Sequence, residues 1–311
     1  MDKKDFLKVS DYSKADIEEV FATAKDIKNK FKKGIEHHPL KGKTLGMIFN
    51  KPSTRTRVSF ETGMYQLGGY PLFLSSGELQ LNRGESIGDT AQVLSRFLDG
   101  IMIRTFSHAD VEELAKKASV PVINGLTDDH HPCQILTDIF TIMEKRSNIK
   151  GIKVAWIGDG NNVMRSWMEA CPILGMDLTM GVPKGYEPKS EIMSTAQEQA
   201  KQAGTQMMLT NDPIEAVKDA DVIYGDVWTS MGQEAENAKR LKDFADFQIN
   251  QKLLSNADKD VLFMHCLPAH RGEDVTDEVI DGPHSIVFDE AENRMHLQKG
   301  ILALHLGRRA N

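Results

Sequence analysis

Cysteine is scarce in this chain. The three present, Cys133, Cys171 and Cys266, include no C-x-x-C pair, so a disulfide framework is excluded and a reducing compartment is expected. Aromatic residues make up 7%, and 38 basic against 45 acidic side chains leave a formal net charge of −7. An acidic chain poor in aromatics is a poor general binder of nucleic acid, although clustered arginines can still take a small anion. Long apolar runs are also missing: none approaches the ~18 residues of a membrane span. The opening stretch from Met1 to Lys14 has no apolar core and carries three aspartates in its first eleven positions. Neither a secretory signal nor a transit peptide is expected, and the chain is read as cytoplasmic.

What is present is an ordinary globular composition, 40% hydrophobic over 311 residues. That suits two domains of common size or one large one, and a chain this long needs no metal or disulfide staples. Ser13 reads as the N-cap of a helix whose face is Ile17, Val20, Phe21, Ala24, Ile27 and Phe31, ended by Gly34. Short apolar runs follow, each succeeded by a helical stretch: Thr44–Phe49, Pro71–Leu74, Gly100–Arg104 and Val120–Asn124. A second series comprises Lys153–Ile157, Asp177–Gly181, Gln206–Leu209, Asp221–Tyr224, Val261–His265 and Ser285–Phe288. Apolar runs of this length alternating with helices predict an α/β protein with mainly parallel sheets flanked by helices. The boundary is expected at Asn148–Gly151, after a helix Cys133–Arg146. The last helix, Arg294–Arg309, is expected to return to the first domain. Ligands of open parallel sheets bind beyond the carboxyl ends of the strands, so motifs there carry the most weight.

Five such motifs stand out. Ser53-Thr54-Arg55-Thr56-Arg57 follows the first strand, and Pro52 marks the start of a helix. Its free N–H groups, hydroxyls and guanidinium forks suit a phosphate, although no Walker loop is present. A capped helix with two solvated arginines is the plain alternative. His130-His131-Pro132-Cys133-Gln134 opens another helix, where His131 could donate to a carbonyl oxygen and Gln134 bond an amide-like NH₂. Asp128, Asp129, His130 and His131 are too close in sequence to converge on one metal. Met264-His265-Cys266-Leu267-Pro268 places Cys266 at a strand end, where a thiolate near arginines would be stabilised; an inert buried thiol is the alternative. A zinc site from His265, Cys266 and His270 lacks a fourth ligand. Gly158-Asp159-Gly160-Asn161-Asn162-Val163 is half a dinucleotide fingerprint with Val163 at the third glycine position, or else a turn presenting Asn161 and Asn162 to a polar ligand. Asp226-Val227-Trp228-Thr229-Ser230-Met231-Gly232 puts a carboxylate at a strand end, with a loop suited to bind a cationic amine and close as a lid. Its plain reading is a surface loop whose Trp228 and Met231 patch the core.

Taken in order, these segments and Phe288-Asp289-Glu290-Ala291-Glu292-Asn293-Arg294 resemble the aspartate/ornithine carbamoyltransferase family. H-P-C-Q, H-C-L-P and D-x-W-x-S-M-G are closest to its ornithine-specific members. The resemblance implies two α/β domains with the active site in the cleft between them. Residues 1–147 with the C-terminal helix 291–311 would bind carbamoyl phosphate, and residues 148–290 would bind L-ornithine. Ser53, Thr54, Arg55 and Thr56 match the phosphate loop. Arg104 and His131 match residues that reach the carbamoyl phosphate oxygens, and Gln134 the partner of the carbamoyl amine. Pro132, Cys133, Cys266, Leu267 and Arg294 complete that pocket. Gln80 matches a residue contributed by a neighbouring subunit, which implies a homotrimer with shared sites. Asn162, Asp226, Ser230 and Met231 match the ornithine set. One departure is Lys51-Pro52 before Ser53, where many relatives have a charged or bulky residue instead of proline.

The implied reaction is attack of the ornithine side-chain amine on the carbonyl carbon of carbamoyl phosphate, giving citrulline and phosphate, with Arg55, Arg104, His131, Gln134, Asp226 and Cys266 as its catalytic set. It requires no metal or cofactor. Putrescine is an alternative acceptor, but a diamine has no carboxylate for Asn162 to hold. Aspartate would call for cationic side chains in the Ser-Met-Gly loop, and there are none. A nucleotide-dependent oxidoreductase would rest on Gly158 and Gly160 alone, and a non-catalytic anion-binding module would leave Asp226 and Cys266 unexplained.

Overall fold

The computed structural model describes residues 4–75, 77 and 84–307. By contact the chain forms two compact units, residues 1–140 with 292–311 and residues 141–291. In chain order the regular elements are α1 (Lys14–Lys32), β1 (Thr44–Phe49), α2 (Thr54–Gln66), β2 (Tyr70–Ser75), α3 (Ile87–Leu94), β3 (Gly100–Arg104), α4 (His108–Lys117), β4 (Val122–Leu126) and α5 (Pro132–Lys145). They continue with β5 (Lys153–Ile157), α6 (Asn162–Leu174), β6 (Asp177–Gly181), α7 (Ser190–Ala203), β7 (Met207–Thr210), α8 (Pro213–Val217) and β8 (Val222–Gly225). The series ends with α9 (Asn237–Asp243), α10 (Gln251–Leu254), β9 (Leu262–His265), α11 (Asp277–Ile280) and α12 (Val287–Leu306).

In the first unit a capping box starts α1. Ser13 Oγ accepts from the Asp16 N–H at 3.2 Å, and Asp16 Oδ2 accepts from the Ser13 N–H at 3.1 Å, which satisfies two otherwise orphaned donors. Ile17, Val20, Phe21, Ala24 and Ile27 are buried as their spacing predicts, whereas Phe31 is 48% exposed. The sheet runs β2-β1-β3-β4 and every pairing is parallel. β1, β3 and β4 are buried along nearly their whole length and read as apolar runs, whereas the edge strand β2 is only half-covered; Ile48, Ile101, Ile103, Val111, Leu114 and Val122 share one core. The fourth strand begins at Val122 rather than Val120. Pro121 has no N–H for the ladder and only its carbonyl is used, by Ile101.

The second unit has five parallel strands in the order β7-β6-β5-β8-β9. Ala155, Ile157, Ile223, Phe263 and Val275 anchor its core. The expected strand Ser285–Phe288 is not one. Phe263 makes a single bridge to Ser285, and α12 has started by Val287. Pro283 cannot extend a ladder on its N–H side, and Asp289 and Glu290 favour a helix start.

In each sheet the strand order reverses next to the first strand of the series: between β1 and β3, and between β5 and β8. At such a switch point, successive crossovers leave on opposite faces and open a crevice at the carboxyl ends. The five motifs all emerge at those ends.

Candidate active site

In the first unit β1 and β3 are paired so that Phe49 lies opposite Arg104, and the Asn50 N–H donates to the Arg104 carbonyl at 2.8 Å. The chain then turns into α2. Ser53 caps it, its Oγ accepting from the Thr56 N–H at 3.2 Å and lying 3.0 Å from Thr56 Oγ1. The two arginines of this segment part company. Arg57 is exposed, donates from Nε to Glu61 at 3.0 Å and lies 3.7 Å from the centroid of the Phe73 ring. Arg55 is half-buried. Arg104, the last residue of β3, is only 5% exposed, so its guanidinium sits at the strand end with its stem in the core.

The loop after β4 is moulded by Thr127, whose N–H donates to the His130 carbonyl at 2.9 Å and whose hydroxyl accepts from the His130 N–H at 3.1 Å. It delivers His131 to the position before α5, where its carbonyl accepts from the Gln134 N–H, and Pro132 fills the first helical position, which needs no donor. His131 is buried, and burial together with Arg294, Arg104 and Arg55 holds its imidazole well below the ordinary range. It is therefore neutral near pH 7 and can offer one donor and one acceptor. Cys133 turns away: its thiol donates to the Asn124 carbonyl, and burial pushes it up to about 12, so only its main chain is left to serve a ligand.

Arg294 joins these segments. It is 3% exposed; NH1 donates to Gln134 Oε1 and NH2 to Thr56 Oγ1, the latter at 3.3 Å. Its buried Nε–H has no partner among the described residues. Three arginines, a neutral histidine, a helix start and an amide oxygen thus converge in one unit. The set suits an anion with a polar neutral head. Gln80 lies outside the described residues.

The second unit gathers opposite chemistry. Asn161 caps α6, its Oδ1 accepting from the N–H groups of Val163 at 2.9 Å and Met164 at 3.1 Å. Its Nδ2 donates to Asp226 Oδ2 at 2.7 Å. Asp226 Oδ1 accepts from its neighbour's N–H at 2.8 Å and from the Cys266 thiol at 3.1 Å. The Cys266 sulfur, at the end of β9, thus faces a carboxylate 40 positions away in sequence. Asn162 follows as the first residue of α6 and is half-buried. Leu267 has a φ of 56° and its N–H donates to His265 Nδ1 at 2.9 Å. His265 Nε2 then faces Asp274 Oδ2 at 3.0 Å, so both ring nitrogens are engaged and neither is left for zinc.

The loop after Asp226 is pinned at one end. Trp228 is buried against Phe244, as the plain reading of that loop expects, but Met231 is 46% exposed. Ser230 and Gln233 close a turn between them, the Ser230 N–H reaching Gln233 Oε1 at 3.1 Å. Gly232 carries a φ of 95°, which favours glycine.

Several residues of this architecture escape a motif reading. Arg240 is 5% exposed and donates from NH1 to Asp159 Oδ2 and to the Trp228 carbonyl, both at 2.8 Å, and from Nε to Glu236 at 2.9 Å. It lies eight positions beyond Gly232, in a stretch that reads as solvated charge. Asp138, fully buried, accepts from Gln134 Nε2 at 2.7 Å; its i+4 spacing on α5 was the available signal. In the Gly158-x-Gly160 turn, a Cβ on Gly160 would stand 2.5 Å from the Tyr186 carbonyl. That glycine accommodates the chain's own backbone rather than a pyrophosphate.

Fold and site together define a protein of two parallel-sheet units, one with an anion-binding cluster and one with a carboxylate at a strand end. The family model for the carbamoyl-phosphate binding domain of aspartate/ornithine carbamoyltransferase matches residues 4–144, and that for the Asp/Orn binding domain matches residues 150–305. The chain belongs to the aspartate/ornithine carbamoyltransferase family. It is 58% identical over 304 residues to ornithine carbamoyltransferase of Carboxydothermus hydrogenoformans, covering 98% of each chain. It is 56% identical to the Thermococcus kodakarensis enzyme of the same name, covering 98% of this chain and 96% of that one. Among solved structures, ornithine carbamoyltransferase from Pyrococcus furiosus superposes with a TM-score of 0.95 at 55% identity, covering 98% of both chains.

Proposed function

We propose that this protein transfers the carbamoyl group of carbamoyl phosphate to the side-chain amine of L-ornithine, giving L-citrulline and phosphate. The observation that carries the reading is Arg294 bonded to both Gln134 and Thr56, which unites the S-T-R-T and H-P-C-Q segments in one donor-rich cluster. Residues 1–147 with 291–311 serve carbamoyl phosphate and residues 148–290 serve ornithine.

The amine lone pair forms the new C–N bond and the carbonyl oxygen takes up charge; the carbonyl then re-forms as the bond from its carbon to the bridging phosphate oxygen breaks, and the proton lost by the amine passes to the departing phosphate. Ser53, Thr54, Arg55 and the start of α2 hold the phosphate, whose charge grows as it leaves. Arg104, His131, the Thr56 hydroxyl and Arg294 donate to the carbonyl oxygen. Gln134 accepts from the carbamoyl NH₂, with the main chain of Pro132 and Cys133 beside it. Asn162 takes the ornithine carboxylate, Ser230 and Met231 border its backbone, and Asp226 with Cys266 holds the reacting amine. An alkyl amine ionises near ~10.4, so it must be deprotonated before attack; desolvation and nearby guanidinium groups favour the neutral form. Holding both reactants in attack geometry supplies several further kcal/mol.

The exposed apolar side chains Val58, Tyr65, Tyr70 and Phe97 in the first unit support a homotrimer in which Gln80 of a neighbouring copy completes each site. Three free cysteines support a cytoplasmic setting, and no described helix is long and apolar enough to cross a membrane. A relative from Pyrococcus furiosus is named anabolic, which supports a place in arginine synthesis. The test is a colorimetric citrulline assay with ornithine, putrescine and aspartate in parallel. Citrulline from ornithine alone is expected, and a carbamoylated product from putrescine at a comparable rate would overturn the acceptor assignment.

A further inference from the structure

Asp138 is fully buried in the first unit, four residues beyond Gln134 on α5, and its Oδ1 accepts from Gln134 Nε2 at 2.7 Å. Burying a carboxylate is costly unless donors meet it, so its presence in the core calls for a reason. The other end of the same amide provides one. Gln134 Oε1 accepts from Arg294 NH1, and a guanidinium can only donate. With an acceptor on one side and a donor on the other, the amide has one satisfactory orientation. The reverse orientation sets two donors face to face at Arg294 and two acceptors face to face at Asp138.

We infer that Asp138 is a positioning residue for carbamoyl recognition: it fixes the Gln134 amide so that its oxygen stays on the Arg294 side, ready to accept from the NH₂ of carbamoyl phosphate. The inference rests on the carbamoyl-transfer reading and deepens it, since the oriented oxygen separates a carbamoyl phosphate from an acyl phosphate that has a methyl in place of the NH₂. Asp138 touches no substrate and acts through Gln134. A carbonyl oxygen carries two lone pairs, so accepting from Arg294 does not bar it from accepting from a ligand.

The test compares the affinities of carbamoyl phosphate, acetyl phosphate and inorganic phosphate by calorimetry, with thermal melts on every variant. Asp138→Asn keeps the size and leaves a weaker, reversible acceptor, and is expected to lower the carbamoyl-over-acetyl preference about fivefold. Asp138→Leu removes the acceptor and is expected to lower it about tenfold. Inorganic phosphate should bind both within about twofold of the parent, because the guanidinium groups and helix start are untouched. In a Gln134→Leu background, which removes the oxygen itself, neither Asp138 change should alter the preference further. A uniform loss for all three ligands, the same drop in both backgrounds, or failure of both variants to fold would assign Asp138 a structural role and overturn the inference. A parent protein with no preference for carbamoyl phosphate would overturn it together with the reaction. A parent that makes citrulline while its Asp138 variants keep the full preference would overturn this inference alone.

Discussion

The two units solve opposite electrostatic problems on the same scaffold. Each is a parallel sheet whose chemistry sits at the carboxyl ends beside a reversal of strand order. The first collects donors that cannot accept: Arg55, Arg104, Arg294 and the capped start of α2, with His131 held neutral by burial and by those same arginines. The second collects a carboxylate and meets it with weak neutral donors, the Asn161 amide and the Cys266 thiol. Its one buried guanidinium, Arg240, is committed to Asp159, Glu236 and the Trp228 carbonyl. Guanidinium groups therefore mark the strand ends of the first unit, and the Asp226 carboxylate those of the second. A dianionic acyl phosphate and an amine are sorted by that difference before any shape is read.

The sharpest way to break this contrast is to discharge the first unit. Arg55→Ala should lower kcat by about 10³-fold, as loss of a donor to developing charge does, and leave ornithine affinity nearly unchanged. Steady-state kinetics with each substrate varied in turn would show it; kcat within about threefold of the parent would remove Arg55 from the leaving-group site. The matching change in the second unit is Asp226→Asn, which keeps the Asn161 and Cys266 contacts feasible while removing the charge. It should lower kcat about 10²-fold with carbamoyl phosphate affinity intact. Equal loss of affinity for both substrates would show that the division of labour is wrong.

How much of this was legible beforehand differs between scaffold and site. The strands Thr44–Phe49, Gly100–Arg104, Lys153–Ile157 and Asp177–Gly181 have the bounds expected from the sequence, because a strand covered on both faces is an apolar run closed by polar residues. Ser285–Phe288 misled for the same reason: a short apolar run also suits the first turn of a buried helix. Local chemistry was readable where side chain and backbone act within one turn, as with Ser13 and Pro132. It was unreadable where partners are far apart in sequence. Nothing near Arg240 announces Asp159, 81 positions away, and the glycine at 160 meets the Tyr186 carbonyl only once the chain has folded back. Cys266 shows the same limit, since its place at a strand end was readable but its bond to Asp226, 40 positions away, was not.

A smaller effect would sharpen the comparison within the second unit. Arg240→Lys keeps the charge, but an ammonium cannot reach Asp159, Glu236 and the Trp228 carbonyl together. The loop bearing Ser230 and Met231 should loosen, raising the KM for ornithine about tenfold while kcat stays within about threefold. Equal changes in the KM of both substrates would show that Arg240 supports the fold at large rather than this loop.

The smallest expected effect concerns acid. His108 and His296, both in the first unit, are held down to about 4. Burial is the main cause in each case, aided by His130 for His108 and by Lys299 and Lys28 for His296. Their folded values lie below the ~6.5 of an unfolded histidine. Above that pH both states are neutral at these sites and neither contributes a pH dependence. Between ~6.5 and about 4 the unfolded chain holds protons that the folded chain refuses, so stability falls as pH drops through this window. The slope is on the order of 1 kcal/mol per pH unit for each histidine. His108→Gln should therefore flatten the decline in unfolding free energy between pH 7 and pH 5 by about that amount, read from urea melts at each pH. An unchanged slope would mean that acid sensitivity does not reside in the buried imidazoles of the first unit, and that the cationic half of the molecule tolerates further positive charge better than its packing suggests.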